Sequence, residues 1–166
     1  MGKSIFVTVG TTQFDRLIET IFSEQSNVLQ TMRECFDVEK IIVQAGRSQK
    51  PTKLPTHVQV EFYQYKDSIA KDMEQADLVI SHAGAGTIMQ GLEAQKKLLV
   101  VVNEDLMNNH QLEIAHQMEK ENYLLHCTCS TLTDGLEKIS KKDFQRYEKG
   151  NPHLFGQFLN QLFSTN

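Results

Sequence analysis

The feature that most constrains this chain is a repeated alternation of short, β-branched apolar runs with stretches of helical period. Ile5-Phe6-Val7-Thr8-Val9 ends at Gly10, and Lys40 to Ala45 ends at Gly46. His57 to Phe62, Asp77 to Ser81, Lys97 to Val102 and Tyr123 to Cys127 complete the predicted strands. Runs of this length and composition read as strands buried on both faces. Phe14, Leu17, Ile18, Ile21 and Phe22 follow the first run at helical spacing. Further helices are predicted over 28–36, 68–75, the stretch after Thr87 to about Gln95, 108–121, 132–139 and, after Asn151-Pro152, Leu154 to Phe163. The segment 47–56, polar and interrupted by Pro51 and Pro55, predicts a loop. Strands that alternate with helices require right-handed crossovers, so the expected fold class is α/β: a doubly wound, mainly parallel, Rossmann-like sheet. A length of 166 residues suits a single domain spanning 1–166.

Composition removes several function classes. A net charge of −4 argues against a nucleic-acid binder, which carries a basic surplus. The three cysteines, Cys35, Cys127 and Cys129, have no framework spacing and fit a reducing compartment. The longest apolar run, Leu98 to Val102, is far shorter than the roughly 20 residues of a membrane span. A strand begins within a few residues of the N-terminus, so no signal peptide is expected and a cytoplasmic location is.

In doubly wound folds ligands bind beyond the carboxyl ends of the strands, which directs attention to the turns after strands one, four and five. Gly10-Thr11-Thr12 permits a tight turn, two hydroxyl donors and the amides of a following helix; equally, Gly10 can simply turn strand into helix. His82-Ala83-Gly84-Ala85-Gly86-Thr87 has almost no bulk, as a diphosphate touching main chain requires, although tight helix–sheet packing has the same signature. After the fifth strand, Asn108 can cap a helix whose first turn holds Asn109, His110 and Gln111, amides and an imidazole able to read sugar hydroxyls; a merely polar helix start is the alternative.

Other chemistries fit less well. The first turn lacks G-x-G-x-x-G and the second strand lacks a terminal acid, so a nicotinamide site is not expected; a Walker lysine is missing too. No Asp-x-Asp occurs to clamp a metal–diphosphate complex, and Cys127-x-Cys129 has no second Cys or His pair at a ligand spacing. No metal or cofactor is therefore expected, and the two cysteines read as packing residues.

The run Ala76-Asp77-Leu78-Val79-Ile80-Ser81-His82-Ala83-Gly84-Ala85-Gly86-Thr87, with Asn108-Asn109-His110-Gln111, resembles the C-terminal half of GT-B glycosyltransferases of the family-28 type. The broad likeness is to the bacterial enzyme that adds N-acetylglucosamine to lipid II. Phe6-Val7-Thr8-Val9-Gly10-Thr11-Thr12, Tyr65-Lys66-Asp67-Ser68 and Cys127-Thr128-Cys129-Ser130-Thr131-Leu132 look more like the small catalytic subunits of the eukaryotic dolichol-pathway transferases. The resemblance implies a UDP-N-acetylglucosamine (UDP-GlcNAc) donor and a membrane-anchored partner that binds the acceptor, dolichyl-diphosphate-GlcNAc. It implies addition of the second GlcNAc, with inversion, on the cytosolic face of the endoplasmic reticulum. Residue by residue, it implies Tyr65 and Lys66 at the uracil through backbone atoms. Gly10, Thr11, Thr12, His82, Gly84, Ala85, Gly86 and Thr87 fall at the diphosphate, with His82 an extra donor if protonated. Asn109, His110 and Gln111 fall beside the sugar, and the C-terminal helix from about residue 152 at the partner. No carboxylate here is clearly placed as the general base, which is assigned to the partner or left open, and His82 is the one catalytic candidate in this chain. Relatives place a glutamate at the ribose where this chain has Gln90, with Glu93, one turn further along the helix, as the alternative there; Lys96-Lys97 stands where relatives have Lys-Pro. Gln90 alone favours a different class, a non-catalytic UDP-sugar-binding or regulatory subunit.

Overall fold

The computed structural model describes residues 2–106 and 109–148, with Asn109 described by its backbone only. Asn108 and the helix predicted over Leu154 to Phe163 lie outside the described residues. The elements run β1 (Lys3–Thr8), α1 (Asp15–Phe22), α2 (Val28–Phe36), β2 (Val38–Gln44), β3 (Gln59–Tyr63), α3 (Ala70–Gln75), β4 (Leu78–His82), α4 (Ala85–Glu93), β5 (Lys97–Val102), α5 (Asn109–Lys120), β6 (Leu125–Thr128) and α6 (Leu132–Ser140). Strand order is β3-β2-β1-β4-β5-β6, and every pairing is parallel. The predicted sheet is thus present, entirely rather than mainly parallel.

Alternation along the strands divides two cores. Ile5, Val7 and Val9 face α1, α2 and α6 together with Leu17, Ile21, Met32 and Leu136. Phe6 faces the other way, with Val79, Ile88, Leu98 and Ala115, beneath α3, α4 and α5. Helices on both faces explain why β1 and β5 read as continuous apolar runs. Each large side chain buried here contributes on the order of 1.5–3 kcal/mol through removal from water.

Element ends follow local chemistry. α2 stops where Asp37 turns left-handed at φ 51°, a conformation asparagine and aspartate tolerate. α3 starts two residues later than its predicted start at Ser68, because the Ser68 hydroxyl accepts the Ala70 N–H at 3.2 Å and stands before the helix. After α6 the chain crosses back to the second face. Gln145 N–H donates to the Asn122 carbonyl, the Gln95 side chain donates to the Tyr147 carbonyl at 2.7 Å, and the Tyr147 hydroxyl lies 3.7 Å from Met89 Sδ. Among the described residues no helix is long and apolar enough to cross a membrane.

Candidate functional site

Strand order reverses between β1 and β4, the place where a doubly wound sheet opens its ligand crevice. Thr8 is in register with Ser81, so the two glycine turns leave the sheet side by side. The His82 ring lies between them. A β-carbon on Gly10 would come 3.0 Å from His82 Cε1, and Gly10 also holds φ at +62°, where side chains are strained. A β-carbon on Gly84 would overlap Nε2 of the same ring. One imidazole therefore accounts for both glycines. Gly86 differs: a β-carbon there would meet nothing within 4 Å. Tight packing explains Gly84, and space for a ligand remains the reading at Gly86.

Burial pushes the His82 pKa below the usual imidazole range, partly offset by the Thr8 main chain. Its Nδ1 is shielded and has no hydrogen-bond partner among the described residues. Burial thus works against protonation of His82, the extra donor that the sequence suggests, and the ring packs between the two turns.

The helix starts beside these turns also differ. α4 opens at Ala85 with Gly84 as its side-chain-free cap, and its first turn holds no acid. The amides of Ala85, Gly86 and Thr87 stand at a helix start, where intrahelical acceptors are lacking and the dipole favours an anion. α1 does not open at Gly10 as the sequence led us to expect; it begins at Asp15. Asp15 accepts from Gln13 Nε2 at 2.6 Å and from the Gln49 amide at 2.8 Å, and the Phe14 amide donates to Ser48 Oγ at 2.7 Å. These bonds tie the chain entering α1 to the 48–49 segment, and no side chain caps the helix. Within the first turn the Gly10 amide donates to Thr8 Oγ1 at 3.0 Å, and the Thr12 hydroxyl donates to the Val9 carbonyl at 2.7 Å. Thr12 is thus not an available hydroxyl donor, while Thr11 stands exposed at the tip.

Support for this turn comes from residues the sequence reading passed over. The Thr8 hydroxyl donates to Gln44 Oε1 at 2.5 Å in a buried pair, and the Arg47 amide donates to the Thr12 carbonyl at 2.9 Å. At Gly46 a β-carbon would press on the Gly10 and Thr12 carbonyls. A glycine closing the second strand was the available signal; the partner it serves was not visible.

Tyr65, 62% exposed, follows β3. The Lys66 ammonium lies 3.0 Å from Asp72 Oδ2, 3.4 Å from Glu61 Oε1 and 4.0 Å above the Tyr63 ring. The Tyr63 hydroxyl donates to Asp72 Oδ2 at 2.5 Å. The hydrogen bond to Asp72 is foremost in raising the Lys66 pKa, while burial, then Asp72, raises that of Tyr63. The Lys66 charge is engaged within the protein, leaving the Tyr65–Lys66 main chain as the part free to meet a ligand.

Gln90 shares a face with Gly86, four residues earlier on α4. Glu93 is exposed one turn further, where its charge acts on Tyr147, away from the helix start. Of the sugar-side residues, His110 and Gln111 lie in the first turn of α5, with His110 Nδ1 3.8 Å from Glu113 Oε2. Asn109 begins that helix, and its side chain is outside the described residues. Leu106 and Leu112, exposed by 51% and 44%, flank this start. The crevice turns and the α5 start thus share one edge of the sheet. A groove of about 780 Å³ lies elsewhere, between α2 and the segment 53–57, at the amino end of β2. Cys127 and Cys129 are buried, and burial pushes the Cys127 thiol up to about 12, as packing residues require.

Fold and edge together define a doubly wound α/β domain with an uncapped helix start at its switch point. Residues 4–160 match the glycosyltransferase family 28 C-terminal domain, and the chain belongs to that family. It is 49% identical over 136 residues to human UDP-N-acetylglucosamine transferase subunit ALG13, covering 79% of this chain and 11% of that protein. The Yarrowia lipolytica subunit of the same name is 36% identical, over 73% of this chain and 62% of its own length. The chain therefore spans less than two thirds of either relative. A solution NMR structure of ALG13 superposes with a TM-score of 0.72 at 25% identity, covering 99% of this chain and 96% of that one. The crystal structure of Acinetobacter baumannii MurG shares the fold, with a TM-score of 0.60 at 20% identity, over 98% of this chain and 42% of that chain.

Proposed function

We propose that this chain is the donor-binding half of a glycosyltransferase that takes UDP-GlcNAc. The observation that carries the reading is the uncapped start of α4, beside an open Gly86, at the β1/β4 switch point. Amides of Ala85, Gly86 and Thr87 receive the diphosphate and stabilise its charge as the glycosidic bond breaks. Thr11 adds a hydroxyl from the neighbouring turn. The uracil lies against the main chain of Tyr65 and Lys66, the ribose against Gln90, and the sugar beside Asn109, His110 and Gln111. A membrane-anchored partner binds dolichyl-diphosphate-GlcNAc and supplies the general base. The acceptor 4-hydroxyl attacks opposite the leaving UDP, so the second GlcNAc is added with inversion at the cytosolic face of the endoplasmic reticulum. Residues 1–166 form one nucleotide-sugar-binding half-domain, with the stretch from about residue 152 at the partner.

Membership of family 28 and likeness to transferase subunits support this reading. In a thermal-shift comparison, UDP and UDP-GlcNAc should stabilise the chain by about 2.7 kcal/mol at 100 times the dissociation constant, and NAD and ATP should not. Equal shifts with NAD would overturn the assignment. The purified chain alone should show no transfer, and co-purification with the partner should restore it; truncation before Asn151 should leave the domain folded but unpartnered. Gln90 favours a second reading, a UDP-sugar-binding regulatory subunit, and absence of turnover in the intact complex would establish that one instead.

A further inference from the structure

At the sheet edge away from the crevice, β6 alternates between two faces. Leu125 and Cys127 enter the core under α6, which turns His126 toward α5. On α5, His116 and Glu119 are three residues apart and so share a face. Glu119 holds the strand through both carboxylate oxygens. Oε1 accepts the His126 main-chain N–H at 3.1 Å, and Oε2 lies 2.8 Å from His126 Nδ1. That second contact does not have hydrogen-bond geometry, so Nδ1, shielded from solvent, has no hydrogen-bond partner despite the adjacent carboxylate. The His116 ring stands edge-on to that of His126, centroids 5.8 Å apart and planes at 85°. One donor atom from each of the three side chains lies within 4.8 Å of the other two.

We propose that His116, Glu119 and His126 bind a divalent transition-metal ion, with Zn²⁺ the best fit. Two imidazoles and a carboxylate are a borderline donor set that suits Zn²⁺ and disfavours Mg²⁺ and Ca²⁺, which take oxygen ligands. Three protein ligands leave a fourth tetrahedral position for water. Donors that share a zinc ion lie closer together than 4.8 Å, on the order of 3.3 Å for bond lengths near 2.1 Å. Closure requires movement of His116, the exposed member of the set, while Glu119 is already oriented by the His126 amide. The shielded Nδ1 beside Oε2 gains the cation it lacks. The ion would clamp the second half of α5 to the edge strand, remote from the helix's sugar-side start, so the inference is independent of the donor reading. Sequence spacing alone could not find this set, since its members come from a helix and a following strand.

The test uses the full-length, tag-free chain stripped by chelator and titrated with ZnCl₂ alone by calorimetry. One site per chain is expected, with a Zn²⁺-dependent rise in melting temperature; Co²⁺ in its place should give the absorption of a tetrahedral N/O site. His116→Ala, at an exposed position, should keep the parent's circular dichroism yet weaken Zn²⁺ binding at least about tenfold, the scale at which loss of site-shaping groups begins. His57→Ala, an exposed position before β3 at the opposite edge of the sheet, should bind Zn²⁺ as the parent does. Absence of binding to the parent overturns the proposal. Binding that survives His116→Ala at parental affinity, through thiols or other histidines, overturns it equally. An ordinary imidazolium–carboxylate pair between His126 and Glu119 would give the first of these results.

Discussion

The two parts of the carboxyl edge are built in opposite ways. Between β1 and β4 the turns 10–12 and 82–87 are braced from within: His82 wedged between Gly10 and Gly84, Thr8 bonded to Gln44, and Arg47 tied to Thr12. After β5, Asn103 turns the chain by accepting the Asp105 amide at 3.1 Å, and Arg16 reaches Glu104 and Asp105 only at 3.8 and 3.9 Å from exposed positions. Exposed pairs of that kind contribute about 0–1 kcal/mol. The braced part is shaped before any ligand arrives, so little ordering entropy opposes binding there. The second part carries Leu106 and Leu112 uncovered. Affinity for a diphosphate should therefore reside in the first part, and discrimination among sugars in the second.

The sharpest way to break this contrast is at the braced turns. Gly84→Val drives a branched side chain into His82 and should destabilise the fold by about 1–3 kcal/mol, as overpacking does. Urea unfolding measures the loss, and adding His82→Ala should recover part of it; additivity would mean the ring is not the obstacle. Gly86→Val, two residues on, has room within the chain, so stability should change by no more than about 0.5 kcal/mol. UDP affinity should nevertheless fall more than about tenfold, or 1.4 kcal/mol. Unchanged UDP binding would make the open space at Gly86 incidental.

Smaller effects sharpen the picture. Gln90→Glu should tighten UDP by about 1 kcal/mol if that position meets the ribose, through a charge-assisted hydrogen bond. Calorimetry showing equal or weaker binding would remove Gln90 from the site. His110→Ala should leave UDP affinity unaltered and reduce the preference for UDP-GlcNAc over UDP by about 1 kcal/mol. A loss shared by both ligands would place the effect outside the sugar. The smallest effect concerns pH. His82 has a folded-state pKa below its unfolded value, so the unfolded chain takes up the proton first. Stability is then full above about pH 6.5 and declines as pH falls through the lower folded-state value. His82→Gln should flatten that slope in urea titrations between pH 7 and 5; an unchanged slope would assign it to other groups.

The strands and most helices were legible because their evidence is local. β1 and β5 advertise two-sided burial in their own composition, and the α1 residues Leu17, Ile18 and Ile21 advertise one face. Positions of the three turns on one edge followed from alternation and crossover handedness. What each residue does within those turns was not legible. Gly10 and Gly84 serve an imidazole, Thr12 spends its hydroxyl on Val9, and Asp15 ties the start of α1 to Gln49. Each depends on which side chain arrives from elsewhere in the fold. Lys66 shows the same limit, since its engagement depends on Asp72, a buried carboxylate presented by the next helix.

The all-parallel sheet has a consequence for the order in which the molecule is assembled. β1 lies in the middle, and its two neighbours are residues 38–44 and 78–82. No hairpin is available to start the sheet, and each pairing waits for a long connection to close. During synthesis from the amino end, the first strand has one flank uncovered until β4 emerges. Folds that rest on such distant pairings form more slowly than those built from neighbouring segments. The Gly10–His82–Gly84 contact can form only when that second flank closes, so the ligand crevice and the middle of the sheet are completed in the same event.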